Sequence, residues 1–314
     1  MPALYLSEEQ VVSLLDMGEC IRILEEAFQA LASGGASNLP RQRVRVPGGG
    51  LQVMPAGYPA RGFMGYKAYT SGSRMRVFLY STTGELRAIL GANALGAVRT
   101  GAASGLATRH MARPESGIVG VIGTGTQART QLEAVCHVLQ VREVRAFSRD
   151  PERCTAYARE MSDKMGVAVA PAASAEDAVR DADVVIAITN SRDPVLEGRW
   201  LVPGCHINAA GSNSDDRREL DEEAVRRSDV IVVDALDQAR LECGDLLAPA
   251  AQGAFRWEEV HPLARVVGGH VPGRRSPAEI TLFESQGLAI EDVATAAWVY
   301  ERARERALGV ELPF

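Results

Sequence analysis

The chain has 314 residues, 46% of them hydrophobic, and a formal net charge of -6. That length suggests about two domains with room for a large core, and intermixed acids and bases offer no basic face for nucleic acid. No apolar run reaches the roughly 18 residues of a membrane span, no basic-then-apolar leader opens the chain, the 5 cysteines lack a C-x-x-C and suit a reducing compartment, and the 5 histidines never fall at metal-ligand spacing; a soluble cytoplasmic protein without a metal site is expected.

Ser7 ahead of Glu8-Glu9-Gln10 is a capping box that opens a helix reaching about Asp16. A second amphipathic helix follows over 18–33 and stops at Gly34-Gly35. Residues 44–46, 51–54, 63–69, 75–80 and 86–90 read as short strands separated by Gly and Pro. With the two helices they predict an antiparallel α+β unit. An Ala-rich helix over 92–112 closes at Arg113-Pro114. The rhythm then becomes strand–helix–strand, with strands at 117–122, 143–147, 167–169, 184–188, 206–209 and 230–233, which predicts a doubly wound parallel sheet. A last helix over 290–308 carries Val293, Ala296, Ala297, Val299, Tyr300 and Ala303 on its apolar side. The fold class expected is α/β: a Rossmann-type sheet over 114–289, and a smaller α+β substrate and dimerisation domain over 1–113, to which about 290–314 returns.

The strongest local signal is Val119-Gly-Val-Ile-Gly-Thr-Gly-Thr-Gln-Ala128, a buried strand running through Gly123-Thr124-Gly125-Thr126-Gln127-Ala128 into a helix. In that order a diphosphate meets a helix N-terminus: Gly123 permits the tight turn, Gly125 lets the backbone approach, and Ala128 lets helix and strand pack. The ribose selector belongs about 20 residues further on, at the end of the second strand. An acid there would repel a 2′-phosphate. Ser148 and Arg149 stand there instead and favour NADP slightly over NAD, because a guanidinium binds a phosphate well; Asp150, next in line, keeps NAD open. Thr189-Asn190-Ser191 and Ala210-Gly211-Ser212 follow the fourth and fifth strands, where open α/β sheets bind ligands. Ordinary turn chemistry is the competing reading for both.

Taken together the motifs resemble the ornithine cyclodeaminase/mu-crystallin family over essentially the whole chain. They are Val53-Met-Pro-Ala56, Val98-Arg-Thr-Gly-Ala-Ala-Ser104, the glycine turn, Gly198 to Asn208, Arg218-Glu-Leu-Asp221, Glu242-Cys-Gly-Asp-Leu246, Glu279-Ile-Thr281 and Ser285-x-Gly287. The resemblance implies a homodimer that transfers hydride at a carbon bearing both nitrogen and a carboxylate. It implies a substrate carboxylate held by Arg43, Lys67 and Arg99, with Lys67 also catalytic, and Thr100 beside the cofactor. Two guanidiniums and an ammonium would neutralise a carboxylate and orient its α-carbon. Without the resemblance, Lys67 would be read as a lysine reaching for solvent, and Arg74 and Arg76 are read as exposed sheet-edge charges, with contact to a second substrate carboxylate as the alternative.

The chain departs from the cyclodeaminases at two substrate-side positions. Gln52 and Asn213 stand where that activity uses acids, and an amide cannot serve as a carboxylate base. The expected function is therefore an NAD(P)H-dependent imine reductase or amino-acid dehydrogenase. Its candidate substrates are Δ1-pyrroline-2-carboxylate, Δ1-piperideine-2-carboxylate, iminosuccinate and the imine of alanine. A cyclodeaminase that recycles NAD internally and a non-catalytic ligand-binding protein of the mu-crystallin kind are the alternatives.

Overall fold

The structure is a computed structural model that describes residues 2–70, 72 and 74–313. Two units emerge, residues 1–99 with 287–314, and residues 100–286. The division falls within a helix, before the 113–114 junction the sequence suggests.

The first unit opens with β1 (Leu4–Leu6), α1 (Glu8–Leu14) and α2 (Met17–Ala32). The capping box forms: the Gln10 amide donates to Ser7 Oγ at 3.3 Å and the Ser7 amide to Gln10 Oε1 at 3.0 Å. Cys20, Ile21, Leu24, Ala27 and Phe28 recur at helical spacing on the buried side of α2. β2 (Ser37–Asn38), β3 (Gln42–Val46), β4 (Gly49–Tyr58), β5 (Phe63–Thr70), β6 (Arg76–Ser81) and β7 (Leu86–Gly91) follow, then α3 (Asn93–Met111), which crosses the division between units.

In the second unit β8 (Ile118–Ile122), α4 (Thr126–Val138), β9 (Glu143–Phe147), α5 (Pro151–Met165), β10 (Ala168–Pro171) and α6 (Ala175–Val179) alternate. Next come β11 (Val184–Ala187), β12 (His206–Ala209), α7 (Glu222–Arg226), β13 (Val230–Val233), α8 (Leu236–Glu242) and α9 (Gly244–Ala251). β14 (His261–Pro262), α10 (Leu263–Val267) and β15 (Thr281–Glu284) complete it, and α11 (Ala289–Glu305) and β16 (Val310–Glu311) belong to the first unit.

The first sheet runs β16-β1-β7-β6-β5-β4-β2, with β3 also on β4. It is not wholly antiparallel as the sequence predicts, because β1 lies parallel to β7. A strand of three residues is too short to show an alternation. The second sheet, β10-β9-β8-β11-β12-β15-β13-β14, is parallel throughout. Its inner strands β11, β12, β13 and β15 are buried along their whole length, as a sheet covered on both faces requires. The strand order turns back between β8 and β11, the switch point at which doubly wound sheets bind ligands.

Candidate functional site

At that switch point β8 delivers the glycine turn. Gly123 has φ 103°, and a side chain there would run into the Ile188 carbonyl oxygen, so the turn demands glycine. Its amide donates to the Phe147 carbonyl at 2.9 Å, which ties the turn to the end of β9. Gly125 is the N-cap of α4 and offers no side-chain cap, and a Cβ on it would meet nothing within 4 Å. The helix start is left without a side-chain cap and with open space beside Gly125, which fits a diphosphate. Ala128 is fully buried and Thr124 nearly so, while Thr126 is exposed and Gln127 half-buried. Thr100 is buried, and its carbonyl accepts from Gln131 Nε2 of α4 at 3.3 Å.

Sequence reasoning passed over the group that braces this turn. Arg129 Nη1 donates to the Gly125 carbonyl at 3.0 Å, and its Nε and Nη2 reach the Glu160 carboxylate at 2.8 and 2.6 Å. The guanidinium also stacks over the Tyr157 ring, whose hydroxyl donates to the Ala128 carbonyl at 3.1 Å. The partners come from α4 and α5, and no spacing in the sequence links them.

At the end of β9, Ser148 is half-buried, and Arg149 and Asp150 are exposed. Asp150 caps α5 by accepting from the Arg153 amide at 3.1 Å. Beyond β11, Thr189 Oγ1 accepts from the Ser191 amide at 3.1 Å, and Asn190 is exposed. Beyond β12 come Ala210, Gly211 and buried Ser212, then exposed Asn213. A doubly wound sheet with this turn at its switch point marks the second unit as a dinucleotide-binding module.

In the first unit Lys67 and Arg99 come together: Lys67 Nζ lies 2.8 Å from Asp292 Oδ2, and Arg99 Nε 2.9 Å from Asp292 Oδ1. Arg99 Nη1 also reaches Glu291 Oε2 at 2.7 Å. All four side chains are buried. Burial lowers the Lys67 ammonium to about 8, with Arg99 pushing the same way and Asp292 opposing. Burial works against the Arg99 charge too, but Asp292 and Glu291 outweigh it and hold the guanidinium above its usual range. Glu291 is raised, first by burial.

The structure does not bring Arg43 into this cluster. Arg43 is exposed on β3, opposite Gln52. Arg41, just before β3, is buried instead: its Nε lies 3.4 Å from Met54 Sδ, its Nη2 donates to the Gly287 carbonyl at 3.4 Å, and its charge adds to the depression of Lys67. Gln52 stands one step off, accepting from the Tyr69 hydroxyl at 2.7 Å, and the Tyr69 ring centroid lies 5.9 Å from Lys67 Nζ. The counter-charges Glu291 and Asp292 escape the sequence reading, because the apolar pattern of α11 dominates it.

Comparison with known proteins fits both halves of this description. Residues 2–307 match the ornithine cyclodeaminase/mu-crystallin family. Alanine dehydrogenase of Archaeoglobus fulgidus is 36% identical over 327 residues, which span 100% of this chain and 99% of that protein. The structure of Δ1-pyrroline-2-carboxylate reductase of Thermococcus litoralis, in complex with NADH and L-proline, superposes with a TM-score of 0.94 at 36% identity, over 98% of this chain and 100% of that one. An archaeal alanine dehydrogenase dimer with bound NAD gives 0.94 at 35% identity, over 100% of both chains. Fold, glycine turn and these likenesses define an oxidoreductase that uses a nicotinamide dinucleotide. The chain belongs to the ornithine cyclodeaminase/mu-crystallin family.

Proposed function

We propose that the protein reduces the C=N bond of a small α-imino acid, or runs the reverse oxidation of the α-amino acid, with NADPH preferred over NADH. The observation that carries the substrate class is the buried cluster of Lys67, Arg99 and Arg41 against Asp292 and Glu291. Lys67 and Arg99 set two buried cations beside Asp292 and Glu291, and Arg41 brings a third close by, a setting that suits an anionic substrate group. Arg41 takes the role first expected of Arg43. Pairing with Asp292 and Glu291 fixes Arg99 and Lys67 in place before a substrate arrives, so less ordering is lost on binding.

A bound dinucleotide supplies the hydride, and Gly123, Thr124, Gly125, Thr126, Gln127 and Ala128 would hold its diphosphate, with Thr100 close by. Ser148 and Arg149 would receive a 2′-phosphate. Asp150, the acid that would oppose one, already caps α5. Thr189, Asn190, Ser191, Ala210, Gly211 and Ser212 would line the nicotinamide end, and Asn213 the substrate side. In reduction the imine carbon gains the hydride and the nitrogen needs to be protonated. Lys67, with its ammonium lowered to about 8, is a proton donor matched to neutral pH.

The test is turnover of NADPH and NADH by the purified protein with Δ1-pyrroline-2-carboxylate, Δ1-piperideine-2-carboxylate, iminosuccinate, and pyruvate plus ammonium. Oxidation of neither cofactor with any of them would refute the reading. Ornithine is expected to release no ammonia, because Gln52 and Asn213 cannot act as carboxylate bases; a stoichiometric ammonia yield without net cofactor change would favour cyclodeamination instead.

A further inference from the structure

β11 and β12 are hydrogen-bonded neighbours, and the chain leaves their C-terminal ends through Thr189 and Gly211. Both amides donate to one carboxylate. Thr189 N donates to Glu219 Oε1, and Gly211 N donates to Glu219 Oε2 at 2.7 Å. Glu219 is fully buried. Its own backbone is anchored on both sides: the amides of Glu219 and Leu220 each donate to Asp245 Oδ1 at 2.7 Å, and its carbonyl accepts from Val195 N at 2.7 Å and Leu196 N at 2.9 Å. A Cβ on Gly211 would collide with the Thr189 carbonyl and with the Glu219 carboxylate, so the two loops meet at this point. Burying a carboxylate costs several kcal/mol, and an apolar side chain would fill the space without that cost. Only a carboxylate offers two oxygens that both accept; a glutamine in the same place turns a donor toward one of the amides.

We propose that Glu219 is a positioning residue for the cofactor, setting the spacing of the 189–191 and 210–212 segments against which the nicotinamide half of the dinucleotide rests. The inference depends on the assignment of those segments to the cofactor made above and adds the group that holds them. Among the described residues, Asp245 at the start of α9 and Glu284 at the end of β15 bear electrostatically on Glu219, and both are acids. Burial and then Asp245 push its carboxyl up to about 8. The double acceptor is therefore complete only as the pH rises through that value.

Equilibrium binding of ADP-ribose and of the reduced dinucleotide (NADPH or NADH, whichever the wild type holds more tightly) tests this in Glu219→Gln and Gly211→Ala. The second variant wedges the same contact open without altering the carboxylate. At about pH 9, where the carboxyl is ionised, each is expected to weaken the reduced dinucleotide roughly 10- to 100-fold, the range for one hydrogen bond to a charged group, and to leave ADP-ribose binding at the glycine turn unchanged. Wild-type affinity for the reduced dinucleotide should tighten between about pH 7 and 9, and Glu219→Gln should be flat. Unchanged dinucleotide affinity in both variants would overturn the proposal, and so would an equal loss for both ligands, which would make Glu219 merely structural. A wild type that binds ADP-ribose but not the reduced dinucleotide would instead remove the cofactor assignment itself.

Discussion

Two arginines separated by one residue, Arg41 and Arg43, have opposite surroundings, and activity should tell them apart. Arg41 is buried with Lys67 and Arg99, whereas Arg43 faces out from β3. Arg41→Ala should raise the KM for the imino acid by about 10- to 100-fold, the loss of one charge-assisted contact, with Arg43→Ala close to wild type; the reverse order would return the role to Arg43. Lys67 adds a pH signature. Its ammonium is lowered to about 8, so kcat for reduction should fall as the pH rises through that value and the proton donor is lost. In Lys67→Met the whole profile should drop and that limb should vanish. The burial of Lys67 and Arg99 in one cluster runs against the residues read alone, since an isolated lysine on a strand ordinarily reaches for solvent, and accords with the family resemblance. That Arg41 is buried and Arg43 exposed was not legible. Arg41, Arg43 and Arg45 alternate along the sequence, and only the place where β3 begins decides which of them turns inward.

Local chemistry made some elements readable and hid others. The capping box, the glycine turn and the Ala-rich α3 each declare themselves within a few residues. β15 was missed, although it lies between β12 and β13 in the second sheet. Its four residues, Thr281-Leu-Phe-Glu284, begin and end on polar side chains that are nevertheless buried. Thr281 Oγ1 bonds His206 Nδ1 at 2.9 Å, and Glu284 Oε2 accepts from Cys243 Sγ at 3.5 Å, partners far away in the chain. The β3–β4 hairpin is the opposite case, with apolar side chains that are exposed. Val44 and Leu51 stand opposite each other across it at 57% and 42% exposure, with Met64 of β5 at 38%. A second copy of the chain would cover this face in the homodimer that the family resemblance implies. Leu51→Asp should shift sedimentation from dimer to monomer; a wild type that already sediments as a monomer would dispose of this face as the interface.

Over the whole molecule, buried acids set how stability responds to pH. Burial, then Asp245, raise Glu219 to about 8 from its ordinary 4.5, and burial raises Asp245 to about 6 from 3.8. Glu284 is raised well above its ordinary value, again chiefly by burial. His206 moves the other way: burial lowers it to about 3 from 6.5, while Thr281 and Asn208 bond its ring nitrogens. A carboxyl raised in the folded chain contributes stability below its unfolded pKa and loses it as pH climbs through the folded one. A lowered histidine contributes above its unfolded pKa and loses stability as pH falls. Between about pH 4.5 and 6.5 the two slopes oppose each other. From about pH 6.5 to 8 the histidine no longer titrates in either state, Lys67 has not yet begun to favour the folded chain, and the raised carboxyls act alone. Each that is protonated when folded and ionised when unfolded contributes a fall of about 1.4 kcal/mol per pH unit. The urea midpoint of the intact protein should therefore drop steadily across this window, and Glu219→Gln, which cannot titrate, should drop less steeply. A wild-type midpoint that stays level or rises there would mean that these carboxyls are already ionised in the folded chain.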